Sequence, residues 1–276
     1  MQKALVSIII TTKNEAGVLE RLLQSIKTQT YPKIETIVVD NNSSDSTQKI
    51  GKKYTKRVFT FGPERSAQRN YGAKMSKGEY IVFLDADMEL TPNVIAECVS
   101  LISKNKKYGG ISIPEESIAQ TFWEKVKGFE RSFYVEDPSE ATDAARFFSK
   151  KVFDELGGYD QSITGPEDWD LPERMMKKGY KTAKIKDYIY HYERVPNPFK
   201  LAQKKYYYAL TAHRYLKKHN LPLFSQKTIY FLRPVFYKQW RKLLAHPILT
   251  VSMFFMFFVE QFGGGMGFLI GKMKNL

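Results

Sequence analysis

Four short apolar segments in the front part of the chain alternate with segments whose apolar residues recur every three or four positions. The apolar segments read ALVSIII, IETIVV, RVFTF and YIVFL. Between the first two, Val18, Leu22 and Ile26 fall on one face of a helix. Short, wholly apolar strands that alternate with helices form a parallel sheet with helices on both faces. The sequence therefore predicts an α/β fold with a mostly parallel sheet.

Polar residues follow each of the four predicted strands. The strand ends continue as TTKNE, DNNSSD, FGPERS and DADM. In open sheets of this kind, ligands bind beyond the carboxyl ends of the strands. The sequence therefore predicts a ligand site at this edge of the sheet.

Asp85 and Asp87 directly follow the apolar run IVFL. Burying an unpaired carboxylate costs several kcal/mol, so we expect both side chains at the rim of the site, facing positive charge. Two carboxylates one residue apart suit Mg2+ or Mn2+, which would share substrate phosphates. Two alternatives are solvated turn residues and the D-x-D of haloacid-dehalogenase-type phosphatases. Those phosphatases carry the motif on their first strand, whereas here it follows the fourth.

Missing motifs argue against several other site classes. The chain has no G-x-G-x-x-G after the first strand, no G-x-x-x-x-G-K-S/T and no G-x-S-x-G. The one cysteine, Cys98, excludes an internal disulfide and a multi-cysteine zinc site, and its apolar helical neighbours predict a core position. The start, MQKALVSIIITTKNE, lacks a small-residue cleavage site, so we expect a first strand rather than a signal peptide.

Charge is distributed unevenly along the chain, whose net charge is +14. Residues 1–170 carry 23 Lys and Arg against 25 Asp and Glu, whereas residues 171–276 carry 20 against 4. A strongly basic back half indicates contact with an anionic surface, either nucleic acid or membrane.

The back half interleaves cations with aromatic residues. The segments are YIYHYER, KKYYYAL and YFLRPVFYKQWRKLL, and we expect helices over 198–218 and 226–245. Such interleaving suits a membrane interface, where long cations reach phosphates and aromatic rings lie at headgroup depth. It also suits nucleic acid.

The apolar tail favours the membrane. Its uncharged stretch 248–259 ends at Glu260, which is shorter than the roughly 20 residues of a spanning helix. Because GGG follows at 263–265, we expect two short apolar pieces in one leaflet, with core or dimer packing as the alternative.

The front part resembles the family 2 glycosyltransferases with the GT-A fold over roughly residues 4–195. The resemblance rests on four segments in order: VSIIITTKNE, IVVDNNSSDST, ERSAQRNYGAKMSKGEYIVFLDADM, and GGYD followed by GPEDWDLPERMMKKGY. It implies inverting transfer of a sugar from a nucleotide donor. Since the Q-x-x-R-W motif of the processive polymerases is missing, we expect one or a few sugars to be added. The family's tendency favours a UDP-sugar and leaves GDP open.

The resemblance also implies roles for individual residues. The nucleotide-sugar-binding group is Thr11, Glu15, Asp40, Arg69 and Asp85, with Asp40 on the nucleobase and Arg69 near base and phosphates. The metal-binding group is Asp87, Asp85 and His191, with Asp87 the firmer ligand of Mn2+ or Mg2+.

Asp168 matches the family's catalytic base, and Glu167 lies beside it in the site. A base is needed because inversion by one displacement requires deprotonation of an acceptor hydroxyl, and a neighbouring carboxylate tunes proton affinity. The alternative for this pair is stabilisation at a helix N-terminus. For His191 the alternative is a packed or surface histidine.

Two domains are expected: a GT-A glycosyltransferase domain over 1–195 and a basic, aromatic helical appendage with an apolar tail over 196–276. The appendage would dock on an anionic membrane surface at the cytoplasmic side of the cell membrane, as a peripheral or monotopic element. There it would meet a lipid-linked saccharide or polyprenyl-type acceptor, and no nucleic acid is expected. The alternatives are a nucleotidyltransferase or phosphatase of similar outline, and a non-catalytic membrane or nucleic-acid binding module on the same fold.

Overall fold

The computed structural model describes residues 3–135, 145–226 and 228–274. The chain forms two compact units. The first comprises Met1–Glu115, Asp143–Gln161 and Glu167–His191. The second comprises Glu116–Thr142, Ser162–Pro166 and Tyr192–Leu276, so two of its segments come from inside the predicted domain 1–195.

The first unit is built on a seven-stranded sheet with strand order β3-β2-β1-β4-β8-β6-β9. Its strands are β1 (Val6–Thr12), β2 (Ile34–Asp40), β3 (Val58–Thr60), β4 (Tyr80–Asp85), β6 (Tyr108–Ser112), β8 (Ala145–Ser149) and β9 (Lys181–Lys184). Neighbours from β3 to β4 are parallel, as are β6 and β9, whereas β8 runs antiparallel to β4 and β6. The predicted α/β fold with a mostly parallel sheet is confirmed.

Helices cover both faces of this sheet, as the wholly apolar strands require. The helices of the first unit are α1 (Leu19–Lys27), α2 (Thr47–Tyr54), α3 (Arg65–Met75), α4 (Val94–Lys104), α6 (Lys150–Glu155) and α7 (Glu167–Lys177). Because successive side chains of a strand alternate between faces, Ile8 packs in the cluster that contains Leu22 of α1, and Ile9 packs in the cluster that contains Ala73 of α3. Cys98 of α4 is buried in the first of these clusters, as predicted.

Two further short strands place a histidine beside the D-x-D segment. Strand β5 (Met88–Leu90) pairs antiparallel with β10 (Ile189–Tyr192), and His191 lies opposite Met88. The Ile189 N–H donates to the Pro114 carbonyl, next to the start of β7 (Glu115–Ile118). His191 is thereby carried to the carboxyl edge of the sheet, next to Asp87.

The second unit is helical. Its helices are α5 (Phe122–Val135), α8 (Pro198–Ala209), α9 (Ala212–Lys218), a 3-10 turn (Tyr230–Leu232), α10 (Pro234–Lys238), α11 (Trp240–Ala245) and α12 (Pro247–Met273). Apolar side chains of α5, α10 and α12 form its core, among them Val126, Phe236 and Phe257.

The two helices predicted over 198–218 and 226–245 are each divided. The first is divided between Ala209 and Ala212, where the Thr211 hydroxyl accepts from the Thr164 N–H at 2.9 Å. In the second, Pro234 supplies no N–H to a preceding turn and begins α10.

The apolar tail is one continuous helix, so the expectation of two short pieces is wrong. Of the glycines that suggested a break, Gly263 instead allows close packing against α8. Gly263 and Gly267 lie against backbone carbonyls of α8, and Gly271 lies against the carbonyl of Leu210, the residue that follows α8. A Cβ on Gly263 would lie 2.5 Å from the Ala202 carbonyl oxygen. With 27 residues, α12 is about 40 Å long, and by length and composition it could cross a membrane.

Candidate functional site

Strand register brings the predicted nucleotide-binding residues to one edge of the sheet. Thr11 at the end of β1 lies opposite Asp85 of β4, and Thr12 lies opposite Asp40 of β2. Glu15 lies in the loop that follows β1, where its N–H donates to the Thr47 hydroxyl at 2.7 Å. The predicted gathering of polar residues at this edge is therefore present.

Asp40 is fully buried and accepts four hydrogen bonds. Three of them, from the Thr12 hydroxyl, the Ser43 N–H and the Gln48 amide, are 2.8 Å long, and the fourth, from the Ser43 hydroxyl, is 2.5 Å long. Burial alone would raise its pKa, but the hydrogen bonds from Ser43, Gln48 and Thr12 outweigh it and hold the pKa below its usual range. Asp40 is therefore a buried, ionised carboxylate whose orientation is fixed at the carboxyl edge of the sheet. The residues that hold it were not predicted from the sequence.

Arg69 of α3 lies between carboxylates that are far apart in sequence. Its guanidinium, in a residue only 1% exposed, donates to Asp168 Oδ1 at 2.6 Å and to Asp85 Oδ1 at 3.3 Å. Glu167 Oε1 lies 3.9 Å away. The structure thus joins the D-x-D segment to the predicted catalytic pair through one buried cation.

Three arginines surround Asp85. Arg65 and Arg69 approach its Oδ1 at 3.8 and 3.3 Å, and Arg146 of β8 approaches its Oδ2 at 3.3 Å. Burial opposes ionisation of Asp85, but the arginines, with Arg146 the strongest, hold its pKa far below the usual range. Sequence reasoning missed Arg65 and Arg146. The signal for Arg65 was its position four residues before Arg69 on the same helix face.

Glu167 and Asp168 begin α7 and differ sharply in environment. The Glu167 side chain is 2% exposed, lies 3.4 Å from Arg65, and its Oε2 has no hydrogen-bond partner among the described residues. Burial first, and then the charge of Asp168, raise the pKa of Glu167 to about 7 against the pull of Arg65 and Arg69. The Asp168 side chain is 25% exposed. The pair therefore combines a solvent-accessible carboxylate with a buried one poised near neutral pH.

At the other end of the site, Asp87 faces His191. Asp87 Oδ1 lies 3.7 Å from His191 Nε2, and His191 Nδ1 lies 2.7 Å from Glu115 Oε2. Arg146 donates to the other oxygen of Glu115 from Nη2 at 2.6 Å and from Nε at 2.7 Å. Glu115 and Arg146 were not predicted as site residues.

The donors present fit a divalent cation that is shared with a substrate. No three His, Cys, Asp or Glu side chains within the described ranges cluster closely enough to hold a metal by themselves. Mg2+ and Mn2+ are commonly bound through one or two protein groups plus substrate phosphates, and Asp87 with His191 Nε2 supplies such a pair. Arginines approach both oxygens of Asp85, whereas Asp87 and His191 Nε2 are two groups that could hold a cation together.

The fold is similar to that of solved glycosyltransferases. A mannosyltransferase of Pyrobaculum calidifontis, solved with GDP-Man and Mn2+, aligns with a TM-score of 0.62 at 16% identity over 99% of this chain and 87% of that one. Residues 1–349 of TarS from S. aureus, solved with UDP-GlcNAc, align with a TM-score of 0.56 at 16% identity, over 98% of this chain and 92% of that one.

In sequence, an uncharacterized glycosyltransferase of Rickettsia typhi is 28% identical over 188 residues, which are 60% of this chain and 57% of that relative. The chain therefore matches little more than half the length of this relative. The sequence model of Glycosyl transferase family 2 matches residues 7–157, more than half of the chain. The chain thus belongs to glycosyl transferase family 2 and has the GT-A fold.

Proposed function

We propose that the protein is a metal-dependent, inverting glycosyltransferase that moves one sugar from a nucleotide sugar to a lipid-linked saccharide or polyprenyl-type acceptor at a membrane surface. The observation that carries the proposal is the position of Arg69. This buried cation contacts both Asp85 of the D-x-D segment and Asp168. The proposed donor-binding carboxylate and the proposed catalytic base therefore share one hydrogen-bonded arginine.

The donor's nucleoside would bind at Asp40, with Thr11 and Glu15 at the same edge. Thr12, Ser43 and Gln48 already donate to both oxygens of Asp40, so a nucleobase N–H would bind this carboxylate by replacing one of these donors. The family tendency favours a UDP-sugar. TarS was solved with UDP-GlcNAc and the Pyrobaculum enzyme with GDP-Man, so binding must decide between the two bases.

Asp87 and His191 would hold Mn2+ or Mg2+ on the donor diphosphate. When bound, the ion stabilises the negative charge that develops on the leaving diphosphate. Asp85, fixed by three arginines, would contribute to the donor site by orienting those cations rather than as the main ligand.

Asp168 would accept the proton of the acceptor hydroxyl as the new bond forms on the face opposite the leaving group. Its carboxylate reaches solvent, whereas the Glu167 side chain is 2% exposed, so an acceptor meets Asp168 first. The hydrogen bond from Arg69 fixes the direction of the carboxylate. Glu167, whose pKa is raised to about 7, sets the charge beside Asp168 as pH changes.

The membrane part of the proposal rests on α12. Its exposed apolar side chains recur every three or four residues and so form one stripe along the helix: Ile248, Val251, Phe255, Phe258, Phe262, Met266, Leu269 and Met273. Other positions pack on α8 through glycines. A helix with one face on protein and an apolar stripe opposite suits an in-plane position in one leaflet.

Basic residues support the choice of an anionic leaflet, because residues 171–276 carry 20 Lys and Arg against 4 Asp and Glu. We propose the cytoplasmic side, since the one cysteine of the chain, Cys98, is a buried free thiol that suits a reducing compartment. A monotopic position would keep the chain at the surface that carries lipid-linked acceptors.

Calorimetric titration with UDP, GDP and dTDP, each with and without Mn2+, tests the donor site. We expect one nucleotide to bind tightly only with the metal. Asp87→Ala should lose the metal-dependent part of the affinity, while Asp168→Asn should retain it. Absence of binding by all three nucleotides both with and without Mn2+ would contradict the proposal.

A further inference from the structure

Glu115 and Arg146 form a buried ion pair beside the site. Arg146 is 8% exposed and the Glu115 side chain 11%, and two guanidinium nitrogens lie within 2.7 Å of Glu115 Oε1. Both residues use their remaining polar atoms on site residues. Arg146 Nη1 reaches Asp85 Oδ2, and Glu115 Oε2 reaches His191 Nδ1.

The pair completes a chain of charged and polar groups that crosses the site. In spatial order the chain runs Asp168, Arg69, Asp85, Arg146, Glu115, His191 and Asp87. Acidic and basic groups alternate along it. Glu115 is the member that connects the arginine-held carboxylates to the histidine next to Asp87.

The contacts of Glu115 determine which nitrogen of a neutral His191 carries the proton. A guanidinium only donates, so Glu115 Oε1 is used by Arg146. A carboxylate only accepts, so Glu115 Oε2 must receive the Nδ1–H of His191 at 2.7 Å. The neutral ring then carries no proton on Nε2, the nitrogen that lies 3.7 Å from Asp87.

We propose that Glu115, held by Arg146, is a positioning residue that keeps the His191 Nε2 lone pair directed toward Asp87. The proposal rests on the proposed role of Asp87 and His191 in holding a divalent cation. Partners of this kind orient metal-binding histidines and raise their basicity, and their loss typically costs about 10- to 100-fold in metal affinity.

Glu115→Gln separates this role from simple packing. The glutamine has nearly the same shape but offers one oxygen and one NH2 group. Because Arg146 can only donate, the amide oxygen must remain on Arg146 and the NH2 must face His191. His191 Nδ1 must then accept, which moves the ring proton to Nε2 and removes the lone pair that faces Asp87.

The test uses the full chain labelled with 15N-histidine, since the sequence has only four histidines. Nitrogen chemical shifts, recorded at a pH where the rings are neutral, report the tautomer of each, and His191→Gln identifies the His191 signals. Free Mn2+, followed by its electron paramagnetic resonance signal, reports metal affinity in the presence of UDP or GDP. Glu116→Gln, a change at the neighbouring exposed glutamate, is the matched control.

We expect wild type and Glu116→Gln to show the Nδ1–H tautomer and the same Mn2+ affinity. Glu115→Gln should show the Nε2–H tautomer and an affinity lower by about 10- to 100-fold. Glu115→Asp, which keeps a carboxylate, should keep the wild-type tautomer and covers the case in which the glutamine variant does not fold.

Two results would overturn the inference. One is an unchanged His191 tautomer in Glu115→Gln, and the other is a changed tautomer with an unchanged Mn2+ affinity. If the wild type itself does not bind Mn2+ with either nucleotide, the metal role in the proposed function fails. The tautomer comparison would still show whether Glu115 orients His191.

Discussion

Replacing Glu167 by glutamine should change how the stability of the protein depends on pH. In the unfolded chain this carboxyl has its ordinary pKa of 4.5, whereas in the fold burial and the charge of Asp168 raise the pKa to about 7. Between these pH values the folded state binds more protons than the unfolded state. The contribution of Glu167 to stability is therefore present below pH 4.5 and is lost as pH rises through 7.

The size of the effect follows from the pKa difference. Each pKa unit corresponds to about 1.4 kcal/mol, so raising the pH from below 4.5 to above 7 costs the wild type about 3 kcal/mol at this site. Glutamine does not titrate, so Glu167→Gln avoids the loss. The free energy of unfolding of the variant, minus that of the wild type, should rise by about 3 kcal/mol over this range.

Urea unfolding at a series of pH values measures this difference, with tryptophan fluorescence, to which Trp169 on α7 contributes, as the probe. Comparison at each pH cancels the titration of groups that do not interact with Glu167, and Glu116→Gln, at an exposed side chain, controls for the loss of a carboxylate. If the difference in the free energy of unfolding between Glu167→Gln and wild type stays constant with pH, the claim that Glu167 is buried and titrates near pH 7 is refuted.

Two predictions concern α12. Gly267→Ala should destabilise the helical unit and lower its Tm, because the new methyl group would overlap the Tyr206 carbonyl, whereas Gly265→Ala, in open space, should stabilise it by up to about 1 kcal/mol. Equal effects of the two changes would contradict the close packing of α12 on α8. Phe258→Glu with Phe262→Glu, both in the exposed stripe, should abolish cosedimentation with anionic liposomes at low salt while nucleotide binding persists. Undiminished liposome binding would contradict the proposal that the exposed apolar stripe of α12 contacts the membrane.

The fold was predictable because its signals are local. Strand β1 is buried along its whole length, and a wholly apolar strand between helical patterns has few other solutions. The positions of Asp40 and Asp85 followed from the strand ends, and the register of β1 with its neighbours brings them to one edge. Asp168 was identified as a site residue from its motif, which gave no indication of its contact with Arg69.

The missed residues act over long sequence separations. Arg146 reaches Asp85 across 61 positions, and Glu115 reaches His191 across 76. Both contacts join segments that are distant in sequence, and no local pattern encodes such contacts. The raised pKa of Glu167 likewise arises from burial that only the folded chain creates.

The tail was wrongly predicted for a related reason. Gly263–Gly265 is a helix-breaking pattern when it is considered alone. In the fold, Gly263, Gly267 and Gly271 recur every four residues along α12, where a second helix backbone lies against them. Packing against α8 therefore compensates for the low helix propensity of glycine, and the value of that packing cannot be obtained from the segment itself.

Transfer of a labelled sugar to lipid is the most direct test of the central claim. The nucleotide sugar whose nucleotide binds with Mn2+ would be incubated with membrane lipid extract and either wild type or Asp168→Asn. We expect the wild type to move label into the organic phase. Asp168→Asn, with its donor affinity intact, should do so at least about a hundredfold more slowly. Equal rates for the two proteins would contradict Asp168 as the base, and no lipid label with the wild type would contradict the proposed acceptor.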